Sequence, residues 1–171
     1  MKTNFKKGLL LILCCSTVTF IYAQGKYAGS LKSLIGKSYT DSRNIKGLKG
    51  WEFNEGSLLN NPNDPEWITV DVFKKGATRV IFFSVMEDTA SHTYVIADVI
   101  EVKSLQKGWL IKTSLCSEGE NEDVSIVAIM KYANAEYMKV AKQAWRFNRD
   151  KRRVEAIPVK NISCMNEGFG E

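Results

Sequence analysis

The sequence predicts an α+β fold: an antiparallel meander of about five to seven strands, curved or barrel-like, with one C-terminal amphipathic helix followed by a last strand. Three observations predict it. Between Trp67 and Lys131, runs rich in β-branched and aromatic residues are joined by short polar stretches, too short for parallel crossovers. From Asn134 to Arg149 the apolar spacing lengthens to that of a helix. Arg153–Val159 then returns to strand composition after the turn-like stretch Asn148–Arg152.

The chain has 171 residues, 44% hydrophobic and 25% charged, which is ordinary globular composition and suits one domain. Residues 1–24 stand apart as a signal peptide. Lys2, Lys6 and Lys7 form a positive start, Leu9 to Phe20 an apolar run, and Tyr22-Ala23-Gln24 a small, polar exit before Gly25. The run is too short and too interrupted for a membrane span, so the chain is not read as an integral membrane protein. Cleavage near Gln24/Gly25 leaves 147 residues in a single α+β domain, 25–171, with a net charge of +2 instead of +5. The Ala-Gln exit resembles that of secreted proteins of the Bacteroidota, and the chain resembles small secreted proteins of that group without assigned function. The resemblance rests mainly on this exit, and it implies a secreted or periplasmic location.

Residues 25–50 carry five glycines and five lysines and read as a loosely structured lead-in, with a short element near Leu31–Ile35. Asn60-Asn61-Pro62-Asn63-Asp64-Pro65 is a turn cluster. Trp67–Lys74, Thr78–Met86, Tyr94–Lys103, Trp109–Cys116 and Val124–Lys131 are the strand runs. In the helical stretch, Tyr137, Val140, Ala141, Ala144 and Trp145 fall on one face, with Asn134 as N-cap and Arg146 and Arg149 at the negative end. If the sheet is strongly curved around this helix the architecture resembles cystatin-like folds. If it closes first, it resembles the lipocalin arrangement.

Export makes the cysteines informative. Once the leader has gone, Cys116 and Cys164 have only each other, and an oxidising compartment predicts a disulfide between them. A zinc site would need further ligands, and His92 is the only histidine.

Three constellations bear on chemistry. Glu118, Glu120, Glu122 and Asp123 gather carboxylates that suit calcium, but without the ordered spacing of a calcium loop, so a solvated connection competes with a metal site. Lys139, Lys142, Arg146, Arg149, Lys151, Arg152 and Arg153 form a basic stretch. Trp145 falls on the apolar helical face, which makes the cations a solvated surface or a contact for an anionic envelope partner and excludes nucleic acid. Asp71 and Asp98 lie on strand runs that have one strand between them in the meander order. Were they on one face, their backbones would stand about 10 Å apart, a spacing that suits an inverting glycosidase.

The chain has no nucleophile elbow, P-loop or dinucleotide fingerprint, and no cofactor is implied. The leading expectation is an exported, non-enzymatic binding module held by one disulfide, whose partner is an envelope or extracellular protein. The alternative is a carrier of a small apolar ligand, its cavity lined by Trp51, Trp67, Phe83, Tyr94 and Trp109. A small hydrolase using Asp71 and Asp98 is the third reading.

Overall fold

The β-branched and aromatic runs become strands near their expected limits in the computed structural model, which describes residues 31–170. In chain order the strands are β1 Ser38–Tyr39, β2 Glu52–Leu58, β3 Ile68–Lys75, β4 Thr78–Asp88, β5 Thr93–Val102, β6 Trp109–Thr113 and β7 Cys116–Glu118. They continue with β8 Asn121–Glu122, β9 Ile126–Lys131, β10 Tyr137–Met138, β11 Ala141–Asn148, β12 Arg153–Ile157 and β13 Ile162–Met165. The signal-peptide reading of residues 1–24 and the first residues of the lead-in lie outside the described residues.

All strand pairings are antiparallel, and they build three sheets. The first has the order β1-β5-β4-β3-β2, so its last four strands form the expected meander. The second has the order β12-β11-β9-β6 and the third β10-β13-β7-β8. Three apolar clusters show how they stack. Ile68, Val70, Ile81, Phe83 and Ile100 of the first sheet pack against Ile111, Val127, Ile129, Trp145 and Phe147 of the second. Leu31, Leu34, Ile45 and Leu48 from the N-terminal strap cover the other face of the first sheet, against Phe73, Val80, Phe82, Ile96 and Val99. The far face of the second sheet, with Ile126, Ala128, Met130 and Ala144, is covered by Met138, Ile162 and the two cysteines of the third.

This layering corrects the α+β expectation. Among the described residues no helix exceeds the four-residue 3-10 turn Leu31–Leu34, and the expected C-terminal amphipathic helix is β10 and β11. The physical reason is burial on both faces. Ala144 points into the cluster beneath the third sheet, whereas Trp145 and Phe147 point into the core between the first two. Consecutive apolar positions are what a two-sided strand requires, and they also satisfy a helical spacing. A bulge between Ala141 and Gln143 removes the remaining alternation. Tyr137 and Val140, assigned to the apolar helical face, are exposed.

A second departure lies between β6 and β7. Ser114 and Leu115 both adopt left-handed backbone, with φ of 62° and 48°. Two such residues in succession turn the chain out of the second sheet and into the third, at a cost of about 1–2 kcal/mol each. The expected single run Trp109–Cys116 is therefore two strands in two sheets.

Candidate functional site

The two aspartates of the hydrolase reading are both buried, at 7% and 5% exposure for Asp71 and Asp98, but they face opposite ways. Asp71 pairs with Phe82, on the strap face of the first sheet. Asp98 pairs with Phe83, on the inner face. Asp98 shares the inner face with Ile100 and Val102 in the regular ladder from Arg79 to Phe83, whereas Asp71 lies between the inward-facing Val70 and Val72. A bulge follows only beyond Asp98, where Ser84 pairs with Ile96. The additional residue puts the side chains on its two sides out of phase. Ile96 faces the strap and Ile100 the inner core, although a regular strand would put them on one face. The structure does not bring the carboxylates together.

Each has a structural task instead. Asp98 Oδ2 accepts a 2.8 Å hydrogen bond from the backbone N–H of Val154, and Oδ1 one of 2.8 Å from Val99. Val154 lies on β12, the edge of the second sheet, so the carboxylate joins the two sheets along that edge. The opposite edge is joined by Ser57 of β2 and Thr113 of β6, whose hydroxyls are 2.6 Å apart. Asp71 accepts a 2.8 Å bond from the Tyr39 hydroxyl, which also lies 3.4 Å from Thr69 Oγ1. Tyr39 stacks on Tyr94, with ring centroids 5.6 Å apart.

Burial pushes the Asp71 carboxyl above its ordinary range, and the hydrogen bonds of Tyr39 and Ser42 only partly oppose it. Burial and the Asp71 charge push the Tyr39 phenol upward as well. The buried Ser84 hydroxyl lies near enough to oppose that rise, but it makes no hydrogen bond of normal geometry. Gly56 makes room for this cluster, because a Cβ there would stand 3.0 Å from Asp71 Oδ1. Together these contacts lock the strap onto the first sheet.

The acidic and basic segments neutralise one another. Arg146 donates to Glu118 Oε2 at 2.7 Å and to Asp123 Oδ2 at 2.6 Å. Burial works to raise the Asp123 carboxyl, but hydrogen bonds from Ser125 and Arg146 outweigh it and hold the group below its usual range. Two of the four calcium candidates are thus spent on one guanidinium, and Glu120 and Glu122 are exposed around the β7–β8 turn. Among the described residues no cluster of three or more acidic, histidine or cysteine side chains has metal-binding geometry.

Five other cations of the basic stretch are engaged too, while Lys139 is exposed. Arg149 donates to Asp64 Oδ2 at 2.7 Å, to the Glu66 carbonyl at 3.2 Å and to the Leu59 carbonyl. Arg152 pairs with Glu66 at 2.6 Å, and Lys151 and Arg153 share Glu155 at 3.0 Å. Lys142 sits over the Trp109 ring, 5.8 Å from its centroid.

The expected disulfide is present. Cys116 and Cys164 are directly opposite one another in the β7–β13 ladder, Cα atoms 4.0 Å apart, in the buried layer between the second and third sheets. It ties the C-terminal strand to the sheet, as the cysteine count implied.

The five aromatic residues expected to line an apolar cavity are dispersed. Phe83 fills the core by stacking on Phe147, centroids 5.8 Å apart. Trp51 and Tyr94 belong to the strap face, Trp67 is half exposed, and Trp109 stands at the mouth between the sheets. Two open clefts flank that mouth. One, of about 270 Å³, is lined by Glu101, Leu105, Trp109, Lys142 and Trp145. The other, of about 240 Å³, lies between the edge strands β2 and β6 and is lined by Asn54, Glu55, Arg79, Leu110 and Lys112. A bulge between Phe53 and Glu55 shapes this stretch of β2. Burial raises the Glu55 carboxyl against the pull of Lys112, with Glu167 adding to the rise and Arg79 opposing it.

No family model, curated protein or solved structure matches the chain. The site therefore stands on its own geometry. Sequence reasoning missed Tyr39, Glu55, Asn60 and the clamp made by Arg149. Arg149 had been named as one of seven cations and Asn60 as part of a turn cluster; Tyr39 and Glu55 sit in a segment without periodicity or beside a bulge.

Proposed function

We propose that the chain is an exported binding module without catalytic activity, clamped by the Cys116–Cys164 disulfide, which takes an extended segment of another envelope or extracellular protein at the open edge of β6. The observation that carries this reading is that edge. Among the described residues β6 pairs only with β9, and its other side faces the cleft of about 240 Å³ bounded by β2. Unpaired strand groups beside a concave wall suit strand addition: main-chain bonds supply affinity and side-chain pockets supply selectivity. Leu110 is exposed there, with Glu55, Arg79 and Lys112 at the rim.

The leader-like residues 1–24 and the single disulfide support export. The opposed aspartates weigh against the hydrolase reading, and the stacked Phe83–Phe147 core against an apolar carrier. No helix among the described residues is long and apolar enough to cross a membrane.

Two measurements test the proposal. Intact mass of the protein recovered from the envelope or medium of a producing cell should correspond to a chain beginning near Gly25. A displayed library of extended eight-residue peptides, panned against that protein, should enrich alternating apolar patterns whose binding slows amide exchange in β6. Leu110→Lys should abolish the enrichment, because a charge on an edge strand discourages pairing. Enriched peptides that leave β6 exchange unchanged would overturn the edge reading, as would an enrichment that survives Leu110→Lys or no enrichment at all.

A further inference from the structure

A second surface lies at the end of β2 and the start of β3, apart from the β6 edge. Trp67 is 48% exposed and Leu58 is 45% exposed. With Pro62, Asn60, Asn61 and Asp64 they line an open cleft of about 250 Å³. A tryptophan left half in water beside a leucine is costly, and such patches mark binding surfaces.

The loop that carries this cleft is held rigid from beneath. Leu59 is fully buried in the core between the sheets, and its N–H donates to the Ile68 carbonyl at 2.8 Å. The Asn60 side chain donates to the Glu66 carbonyl and accepts from the Ile68 N–H at 2.6 Å, closing the loop on itself. Asp64 Oδ2 accepts from the Asn61 N–H at 2.7 Å. Arg149 reaches from the end of β11 and the turn after it to bind Leu59, Asp64 and Glu66 at once. Trp67 is itself anchored, since its carbonyl accepts from Met86 N–H at 2.8 Å. A loop so fixed loses little entropy when a ligand arrives.

The chemistry of the lining narrows the ligand. Arg149 cancels the charge of Asp64, so the rim is neutral. Asn61 and Asp64 line the same cleft as Trp67. Their hydrogen bonds among the described residues run through the Asn61 backbone and Asp64 Oδ2, leaving the Asn61 amide and Asp64 Oδ1 without a protein partner. A pyranose ring has the matching character, with an apolar C–H face and hydroxyls around its edge. The apolar surface is confined to Trp67, Leu58 and Pro62, far short of the roughly 800 Å² per partner of a stable protein interface. From this we infer that the cleft is a binding site for a neutral saccharide. One ring stacks on Trp67, and its hydroxyls bond to Asn61 and Asp64 Oδ1.

Titration of the full chain with four neutral hexasaccharides tests the site: cellohexaose, maltohexaose, mannohexaose and a β-1,3-glucan hexamer, followed by calorimetry. At least one should bind with a Kd of about 10 μM to 1 mM, as few contacts allow. Trp67→Ala should weaken it about tenfold or more and Trp67→Phe by less, because a smaller ring keeps part of the stacking. Asn61→Ala, which leaves the Arg149 clamp in place, should weaken it about threefold or more. Since Trp67 is surface-exposed, the variants should unfold at the temperature of the parent within about 2 °C. Failure of all four sugars to bind below 5 mM would overturn the inference. So would binding that survives Trp67→Ala, or a protein segment, rather than a sugar, protecting Trp67.

Discussion

Replacing Asp98 with alanine isolates the bond that joins the first two sheets along the β5–β12 edge. Among the hydrogen bonds its carboxylate accepts, the one from Val99 is local, while the 2.8 Å bond from Val154 crosses between sheets. A hydrogen bond to a charged group contributes about 1.5–3 kcal/mol, and a buried N–H left without a partner adds a penalty of its own. At 5% exposure little water reaches the site, so Asp98→Ala should cost about 2–4 kcal/mol. Asp98→Asn keeps an acceptor and should cost about half as much.

The assay is urea unfolding followed by tryptophan fluorescence, together with amide exchange at Val154. The alanine variant should lower the midpoint by about 1–2 M and speed Val154 exchange well beyond that of the β9 amides. A loss below about 0.5 kcal/mol with Val154 still protected would show that β12 is held by packing alone, and the account of Asp98 would fail.

Three further outcomes follow from the same contacts. Reducing the Cys116–Cys164 bond, which closes a separation of 48 residues, should cost about 4 kcal/mol in urea unfolding; a loss under about 1 kcal/mol would mean the unfolded chain is already restrained there. Leu115→Gly relieves left-handed backbone at a residue that is 44% exposed, and thermal unfolding should show a gain of about 0.5–1 kcal/mol, with any destabilisation counting against strain at this corner. Tyr39→Phe removes the donor to Asp71, whose folded carboxyl is already raised by burial. A raised carboxyl favours the folded state below its unfolded pKa and loses that contribution as pH rises through the folded value. The variant should therefore be about 1–3 kcal/mol less stable at neutral pH and recover toward the parent as acid protonates Asp71, and a pH-independent deficit would contradict the assignment.

Much of this molecule is legible in its residues. The runs of Val, Ile and Phe from Ile68 to Val102 declare hairpin-linked strands because a pleated, half-buried surface selects those shapes. The Cys116–Cys164 pair was expected from the sequence once Cys14 and Cys15 were assigned to a leader, and the bond is present. The stretch from Ala141 to Phe147 was misread for an equally physical reason. Strand alternation is visible only when one face meets water, and here both faces are covered, by the first sheet and by the third.

The candidate site was less legible still, because it depends on single-residue offsets and on contacts between distant segments. Asp98 pairs with Phe83 and Asp71 with Phe82, so the two carboxylates sit one position out of phase across β4 and take opposite faces, contrary to what the hydrolase reading requires. That offset is set by the pairing register, which brings Asp98 to the edge of β12, and no local preference in the β5 sequence announces it. Nor can spacing show that Arg149 reaches Leu59, a separation of 90 residues, or that Arg146 neutralises Glu118 and Asp123. By itself, then, the sequence determined the strand-forming runs and the disulfide, because local shape and cysteine chemistry act at short range. Only the tertiary structure decided which faces are buried, which charges cancel, and where a strand edge and a tryptophan remain open, since those depend on what the neighbouring layers cover.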